Sequence, residues 1–199
     1  MFVATLSASS SRWSFLALLG VLVFVPAVSS AGLSPAEVRA YEAHKIKALE
    51  GNADSQYRLA LCYLEGDGTS KDAKLAFKWA SEAATKGHLA AQTLRGVALY
   101  YGIGVSADQE AGAAQTLKAA MLGDGGAQHN YANWCMDGKG VLKDEVEAYA
   151  FFNLAAVSET HSRDMRDFLD RKLSETSRLA GQKRARELKE QIERNKKGL

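Results

Sequence analysis

The stretch ADSQYRLALCYLEGDGTSKDAKLAFKWASEAATKG, residues 53–87, holds two segments with helical spacing of apolar residues, joined by a glycine-containing loop. Its pattern returns twice, each time 36 residues further along the chain. The positions that recur are the two glycines of a GxG loop, a glutamine, an aspartate and a pair of alanines. They are Gly66, Gly68, Gly102, Gly104, Gly138 and Gly140; Gln56, Gln92 and Gln128; Asp72, Asp108 and Asp144; and the alanine pairs 83–84, 119–120 and 155–156. So many coincidences at one offset indicate an internal repeat.

Each repeat has the residues of a helical hairpin. In the first copy Leu59, Ala60 and Tyr63 fall on one face of a helix. The first glycine of GxG supplies the left-handed conformation that ends this helix, and the aspartate supplies the N-cap of the next one. The loop at 102–104 is therefore a turn between two helices. A phosphate-binding loop is disfavoured, because no third glycine stands in register and no lysine follows.

The repeated unit resembles the Sel-one-like repeat (SLR), a relative of the tetratricopeptide repeat. The shared pattern is alanine-glutamine, leucine followed by a small residue, tyrosine, GxG, aspartate, alanine, tryptophan, a double alanine and glycine. The resemblance covers residues 53–159. The second copy departs from it at Arg95 and at Gln115, which replaces the aromatic Trp79 of the first copy, and the third copy has Cys135 in the tyrosine place. The resemblance implies an all-α protein, a right-handed α-solenoid of antiparallel helix pairs that serves as an adaptor for other proteins.

Residues 1–31 have the layout of a secretory signal peptide: Arg12, an apolar run at 15–28, then small residues. Cleavage after Ser30 or after Ala31 fits equally well. The apolar run is shorter than the ~20 residues that a membrane span needs, so no stable span is expected after cleavage; an uncleaved anchor is the alternative. We expect a bacterial envelope protein, periplasmic or secreted.

The remaining segments predict three repeats with caps at both ends. We expect an N-terminal capping helix at 32–51, repeats at 52–87, 88–123 and 124–159, and C-terminal capping helices with a basic tail at 160–199. Ser34, Pro35 and Glu37 are typical of a helix start. The apolar residues expected to cover the far end are Met165, Phe168, Leu169 and Leu173, followed by Ala185, Leu188 and Ile192.

Charge is unevenly distributed along the chain. Residues 161–199 carry twelve basic and seven acidic side chains, or +5, whereas residues 32–160 carry twelve basic and sixteen acidic side chains, or −4. The basic tail could indicate nucleic-acid binding. Export, the acidic body and the absence of aromatic residues interleaved with the cations disfavour that interpretation.

The sequence has no motif that indicates catalysis or a cofactor. HExxH, CxxC, GxSxG and SxxK are absent, and the four histidines, at 44, 88, 129 and 161, lack the spacing of metal ligands. Cys62 and Cys135 lie 73 residues apart, two repeats plus one position, too far for a disulfide in a solenoid. We expect a non-enzyme without metal or cofactor and with two free thiols; a catalytic site assembled in space stays open.

Aromatic and polar side chains on the first helices of the hairpins form the candidate binding site. They are Tyr57, Arg58, Tyr100, Tyr101, His129, Asn133 and Trp134. We expect them off the packed face, where aromatic residues and arginine favour protein binding, although several could instead pack between hairpins. The predicted function is an exported scaffold that binds a protein or peptide, with self-association possible. The alternatives are an envelope factor that binds cell-wall or small-molecule ligands, and a hydrolase with an assembled site.

Overall fold

The computed structural model describes residues 34–198, so the signal peptide predicted at 1–31 lies outside the described residues. Within them the chain forms nine α-helices and no strand, which confirms the all-α prediction. The helices are α1 (Pro35–Leu49), α2 (Ala53–Glu65), α3 (Ala73–Thr85), α4 (Leu89–Tyr101), α5 (Gln109–Ala120), α6 (Gly125–Asp137), α7 (Glu145–Ala155), α8 (Thr160–Lys172) and α9 (Glu175–Lys196). Successive helices from α1 to α8 pack on one another in chain order. This arrangement is that of a solenoid.

The three repeats form the hairpins α2–α3, α4–α5 and α6–α7. Each first helix ends at a glycine with left-handed backbone, as at Gly102, where φ is 73°. Each second helix begins at an aspartate whose side chain accepts a hydrogen bond from a backbone N–H of the first turn. The roles predicted for the first glycine of GxG and for the aspartate are confirmed.

The second glycine of each loop lies against the preceding hairpin. At Gly104, where φ is 72°, a Cβ atom would collide with the carbonyl group of Ala73 in the first turn of α3. Gly68 meets Glu37 of α1 and Gly140 meets Gln109 of α5 in the same way. The two glycines therefore differ in role, since the first ends a helix and the second also permits close approach between hairpins.

The repeated glutamine connects each hairpin to the helix before it. Its Nε2 donates to the carbonyl of an alanine eight residues earlier, near the end of the preceding helix, and the three donor–acceptor distances are 3.1, 3.4 and 3.1 Å. The pairs are Gln56–Ala48, Gln92–Ala84 and Gln128–Ala120. A helix end leaves carbonyl groups without helical partners, and this side chain satisfies one of them at every joint.

The repeat pattern extends beyond the three hairpins at both ends. Gly51 follows α1 with a left-handed backbone, φ of 92°. Gly87 and Gly123 follow α3 and α5 in the same way, so α1 takes the place of a second helix. α8 follows α6 at nearly the repeat spacing and packs on α7, so it takes the place of a first helix. The pattern ends with α9, which packs along α7.

The largest apolar cluster surrounds α7. Phe151, Phe152, Leu169 and Leu188 are fully buried there. Ala185 and Ile192 of α9 are also buried, whereas Phe168 of the stripe expected on α8 is 45% exposed. The prediction that Phe168 helps to cover the end of the array is therefore wrong.

Both cysteines are free thiols. Cys135 is buried, and burial raises its pKa to about 12. Burial also raises the pKa of the partly buried Cys62. Because the thiolate is the reactive form, neither cysteine is disposed to act as a nucleophile.

Candidate functional site

The seven candidate residues do not form one exposed groove. Trp134 on α6 and Tyr100 at the end of α4 are only 2% and 3% exposed, and their rings stack with centroids 3.8 Å apart and planes 6° from parallel. The Tyr100 hydroxyl donates to the carbonyl of Lys139 at 3.0 Å. The prediction that these two side chains lie off the packed face is wrong, because they fill the joint between the second and third hairpins.

Tyr101 differs from its neighbour, since 60% of its surface is exposed. Its ring meets the Tyr100 ring edge to face at 4.9 Å, and its hydroxyl accepts from Nε1 of Trp134 at 3.4 Å. The buried aromatic pair therefore holds an exposed aromatic side chain in a defined position.

Tyr57 and Arg58 belong to a second cluster, between the first and second hairpins. The Tyr57 ring stacks on His88 at 4.7 Å, and burial raises the pKa of its hydroxyl. Nδ1 of His88 accepts from the backbone N–H of Ala91 and caps α4, while its Nε2 lies 3.7 Å from Asp54. Arg58 is exposed and donates to Asp54 at 2.8 Å, a contact that lowers the pKa of that carboxyl.

His129 and Asn133 form a third cluster, between α6 and α8. Nδ1 of His129 lies 2.7 Å from Oγ of Ser162, and its Nε2 lies 2.9 Å from the Asn133 amide nitrogen. That amide nitrogen also donates to the backbone carbonyl of His129. An NH2 group can only donate, so Nε2 of the neutral ring accepts from Asn133, and Nδ1–H donates to Ser162. Burial lowers the pKa of His129 and favours this neutral form.

The serine–histidine–asparagine arrangement has the composition of a catalytic triad but the wrong hydrogen-bond direction. A general base must accept the proton of the nucleophile, whereas His129 donates to Ser162. The Ser162 side chain is also fully buried, so a substrate has no access to its hydroxyl. The cluster is suited to joining helices.

Tyr57 and His129 share one position of the repeat, and Thr93 occupies it in the second hairpin. Each of these side chains contacts the beginning of the next first helix: Tyr57 meets His88, Thr93 donates to Asp124 at 3.0 Å, and His129 meets Ser162. The 36-residue offset could have identified this position, but its residue type changes in every copy and therefore gave no signal.

Among residues 34–198 no group of three or more His, Cys, Asp or Glu side chains is arranged to hold a metal ion. No helix in this part of the protein combines the length and apolar character that crossing a membrane requires.

Comparison with known proteins identifies the repeat. The family model described as Sel1 repeat matches residues 53–88, 89–124 and 126–156. A comparison with curated proteins finds no match.

Two solved structures are similar to this one. The first is c5321, a protective antigen present in uropathogenic Escherichia coli strains that displays an SLR fold; it has a TM-score of 0.57 and 27% identity over 80% of this chain and 44% of its own. The second is a Sel1 repeat protein from Oxalobacter formigenes, with a TM-score of 0.55 and 28% identity over 65% of this chain and 98% of its own. The chain thus spans less than half of the length of the first.

Proposed function

The chain belongs to the Sel1 repeat family, and from that premise we propose that it is an exported, non-catalytic scaffold that binds a protein or peptide through the surface of its first helices. Proteins of this family generally act as scaffolds, and their repeats generally mediate protein interactions. Export rests on the signal-peptide layout of residues 1–31.

The exposure of Tyr101 is the observation that best supports the proposed binding surface. It is a large aromatic side chain, 60% exposed, at the end of a first helix. Its contacts with Tyr100 and Trp134 restrict its conformations before any partner arrives. A side chain that is already ordered loses less entropy on binding, and tyrosine is enriched among residues that dominate binding energy.

The rest of the candidate set supports this surface to differing degrees. Arg58 is exposed and its ion pair with Asp54 is a surface pair, which costs little to rearrange. Tyr57, His129 and Asn133 are half-buried and present only part of their surface. Tyr100 and Trp134 contribute by supporting Tyr101.

Crosslinked affinity capture from envelope extracts of the producing organism tests the proposal. The tagged full chain is compared with Tyr101→Ala and with Leu142→Ala, a control that truncates another large exposed side chain, 91% exposed. We expect one partner captured by the wild type and by the control, and recovered at least about tenfold less by Tyr101→Ala, as for a side chain worth ~1.4 kcal/mol or more.

Two outcomes would contradict the proposal. Equal recovery by all three proteins would remove Tyr101 from the binding surface, and an empty capture would show that the envelope holds no partner for the scaffold. Unfolding of each variant is followed in parallel, so that a folding defect is not mistaken for lost binding. N-terminal sequencing of the envelope form tests export, with Ala31 or Gly32 expected as the first residue.

A further inference from the structure

The surface of the first helices that carries Tyr101 is called the Tyr101 surface below. A separate groove runs between α7 and α9, and we refer to it as the α7–α9 groove. Its volume is about 750 Å³. Asn153, Leu154 and Val157 line one side, and Arg186 and Lys189 line the other, with Arg166 of α8 also contributing. The side chains of α9 in this lining recur every three or four residues, so they form one face of the helix.

The dimensions of the groove suit an extended chain. The lining positions on α9 run from Gln182 to Lys196, which corresponds to about 21 Å at the rise of an α-helix. An extended peptide covers that distance with about six residues. The groove therefore has the length of a short peptide segment.

The charged side chains of the lining are predominantly cationic. Arg166, Arg186, Lys189 and Lys196 contribute four positive charges and Glu193 one negative charge. Lys196 is paired with Glu193 at 3.2 Å, and Arg166 with its neighbour Asp167 at 2.6 Å. Among residues 34–198 neither Arg186 nor Lys189 has a carboxylate within ion-pair distance, so these two cations are available to a ligand.

Apolar surface accompanies this charge. Val157 is 89% exposed and Leu154 is partly exposed. A phosphate backbone gains little from such side chains, whereas a peptide can place carboxylates against the arginine and lysine and apolar residues against leucine and valine. We propose that the α7–α9 groove binds an extended acidic peptide segment that also carries apolar residues. This site is distinct from the Tyr101 surface, so either can fail without the other.

Fluorescence anisotropy with a defined probe tests the groove. The probe is a fluorescein-labelled peptide of about seven alternating glutamate and leucine residues, and its control carries glutamine in place of glutamate. The full chain is compared with Arg186→Glu/Lys189→Glu. The matched control is Arg171→Glu/Lys183→Glu, which changes the net charge equally at exposed positions outside the groove.

We expect the glutamate peptide to bind, the glutamine peptide to bind much more weakly, and added salt to weaken binding because exposed charges are screened. The groove variant should lose at least about tenfold in affinity and the control variant less than about twofold. Because a charge reversal could disturb α9, Arg186→Gln/Lys189→Gln is measured as a second variant, and it should also weaken binding.

Three results would overturn the proposal. The first is an equal loss in both charge-reversed variants, which would indicate diffuse attraction to the basic tail. The second is tighter binding of a labelled oligothymidylate than of the glutamate peptide, which would make the site one for nucleic acid. The third is the absence of saturable binding to the glutamate peptide.

Discussion

At Gly104 the absence of a side chain meets two requirements at once. The backbone has φ of 72°, where a residue with a Cβ is strained, and the space that a Cβ would occupy is filled by the carbonyl group of Ala73. The neighbouring helix cannot yield easily, because the colliding atoms belong to its first turn. A substitution at Gly104 therefore tests the contact between successive hairpins.

Substitution Gly104→Ala should destabilise the protein by more than ~2 kcal/mol, since strain and collision add. Gly126→Ala is the matched control: Gly126 lies in α6, and a Cβ there would meet only the Asp124 carboxylate at ordinary contact distance. Alanine favours the helix, so this control should be neutral or stabilising by up to ~1 kcal/mol. Denaturant unfolding measures both. Wild-type stability of Gly104→Ala would refute the close approach.

The burial of His129 should make the free energy of unfolding depend on pH. Burial lowers its pKa in the folded protein below the ordinary 6.5, so the unfolded chain binds the proton more tightly than the folded chain. The stabilisation is complete above the ordinary pKa and is lost as the pH falls through it towards the folded pKa. Stability should therefore fall between about pH 7.5 and pH 5.

His129→Gln removes the titrating group, so the loss of unfolding free energy over this pH range should become smaller than in the wild type. Comparing the two proteins at both pH values cancels the contribution of the other titrating groups. An unchanged pH dependence would mean that His129 titrates in the folded protein as it does in the unfolded chain.

At the scale of the elements, α9 completes the structure by packing on α7. Leu188 is 1% exposed within this contact, and Gly181 approaches the Tyr149 ring too closely for a Cβ. Arg184 makes a bidentate pair with Glu147, at 2.8 and 3.0 Å. Apolar packing and an ion pair therefore hold the same helix, and their contributions can be separated.

We expect apolar packing to contribute more to stability than the ion pair does. We expect Leu188→Ala to destabilise the protein by ~2–4 kcal/mol because it removes a buried side chain, whereas Arg184→Ala should cost ~1 kcal/mol or less because the pair is partly exposed. Denaturant unfolding of the two variants gives the comparison. An equal or larger cost for Arg184→Ala would show that the ion pair, and not the apolar contact, positions α9.

The elements predicted best are those determined by local residues. Glycines that end helices and aspartates that cap them act within a few residues, so the three hairpins followed from the sequence. The burial of Trp134 could not be predicted in this way, because the equivalent positions of the first and second hairpins hold Cys62 and Ala98. Its stacking partner, Tyr100, belongs to the preceding hairpin, and contacts between units leave no periodic signal when only one joint contains them.

The helices at the two ends of the array, α1 and α9, also differ in how far the sequence predicts them. Gly51 stands 36 residues before Gly87 and places α1 within the repeat, so the place of α1 is encoded in the sequence. α9 carries no GxG loop before it and begins six residues ahead of the repeat position. Its packing on α7 depends on the shape of the completed array, so the α7–α9 groove could not be foreseen.

The whole molecule is a short solenoid with two separate surfaces. Aromatic stacking at the joint between the second and third hairpins presents Tyr101, and the last helix provides a cationic groove beside α7. The basic excess of residues 161–199 is carried by α8 and α9, which separates it from the Tyr101 surface. The two surfaces would allow one scaffold to bind two segments.

The most direct measurement is the dissociation constant of the captured partner for wild type, Tyr101→Ala and Leu142→Ala under one set of conditions. We expect this dissociation constant to increase at least about tenfold for Tyr101→Ala and to stay close to the wild-type value for Leu142→Ala. The same constant in all three proteins, each shown to be folded, would contradict the claim that the exposed tyrosine marks the binding surface.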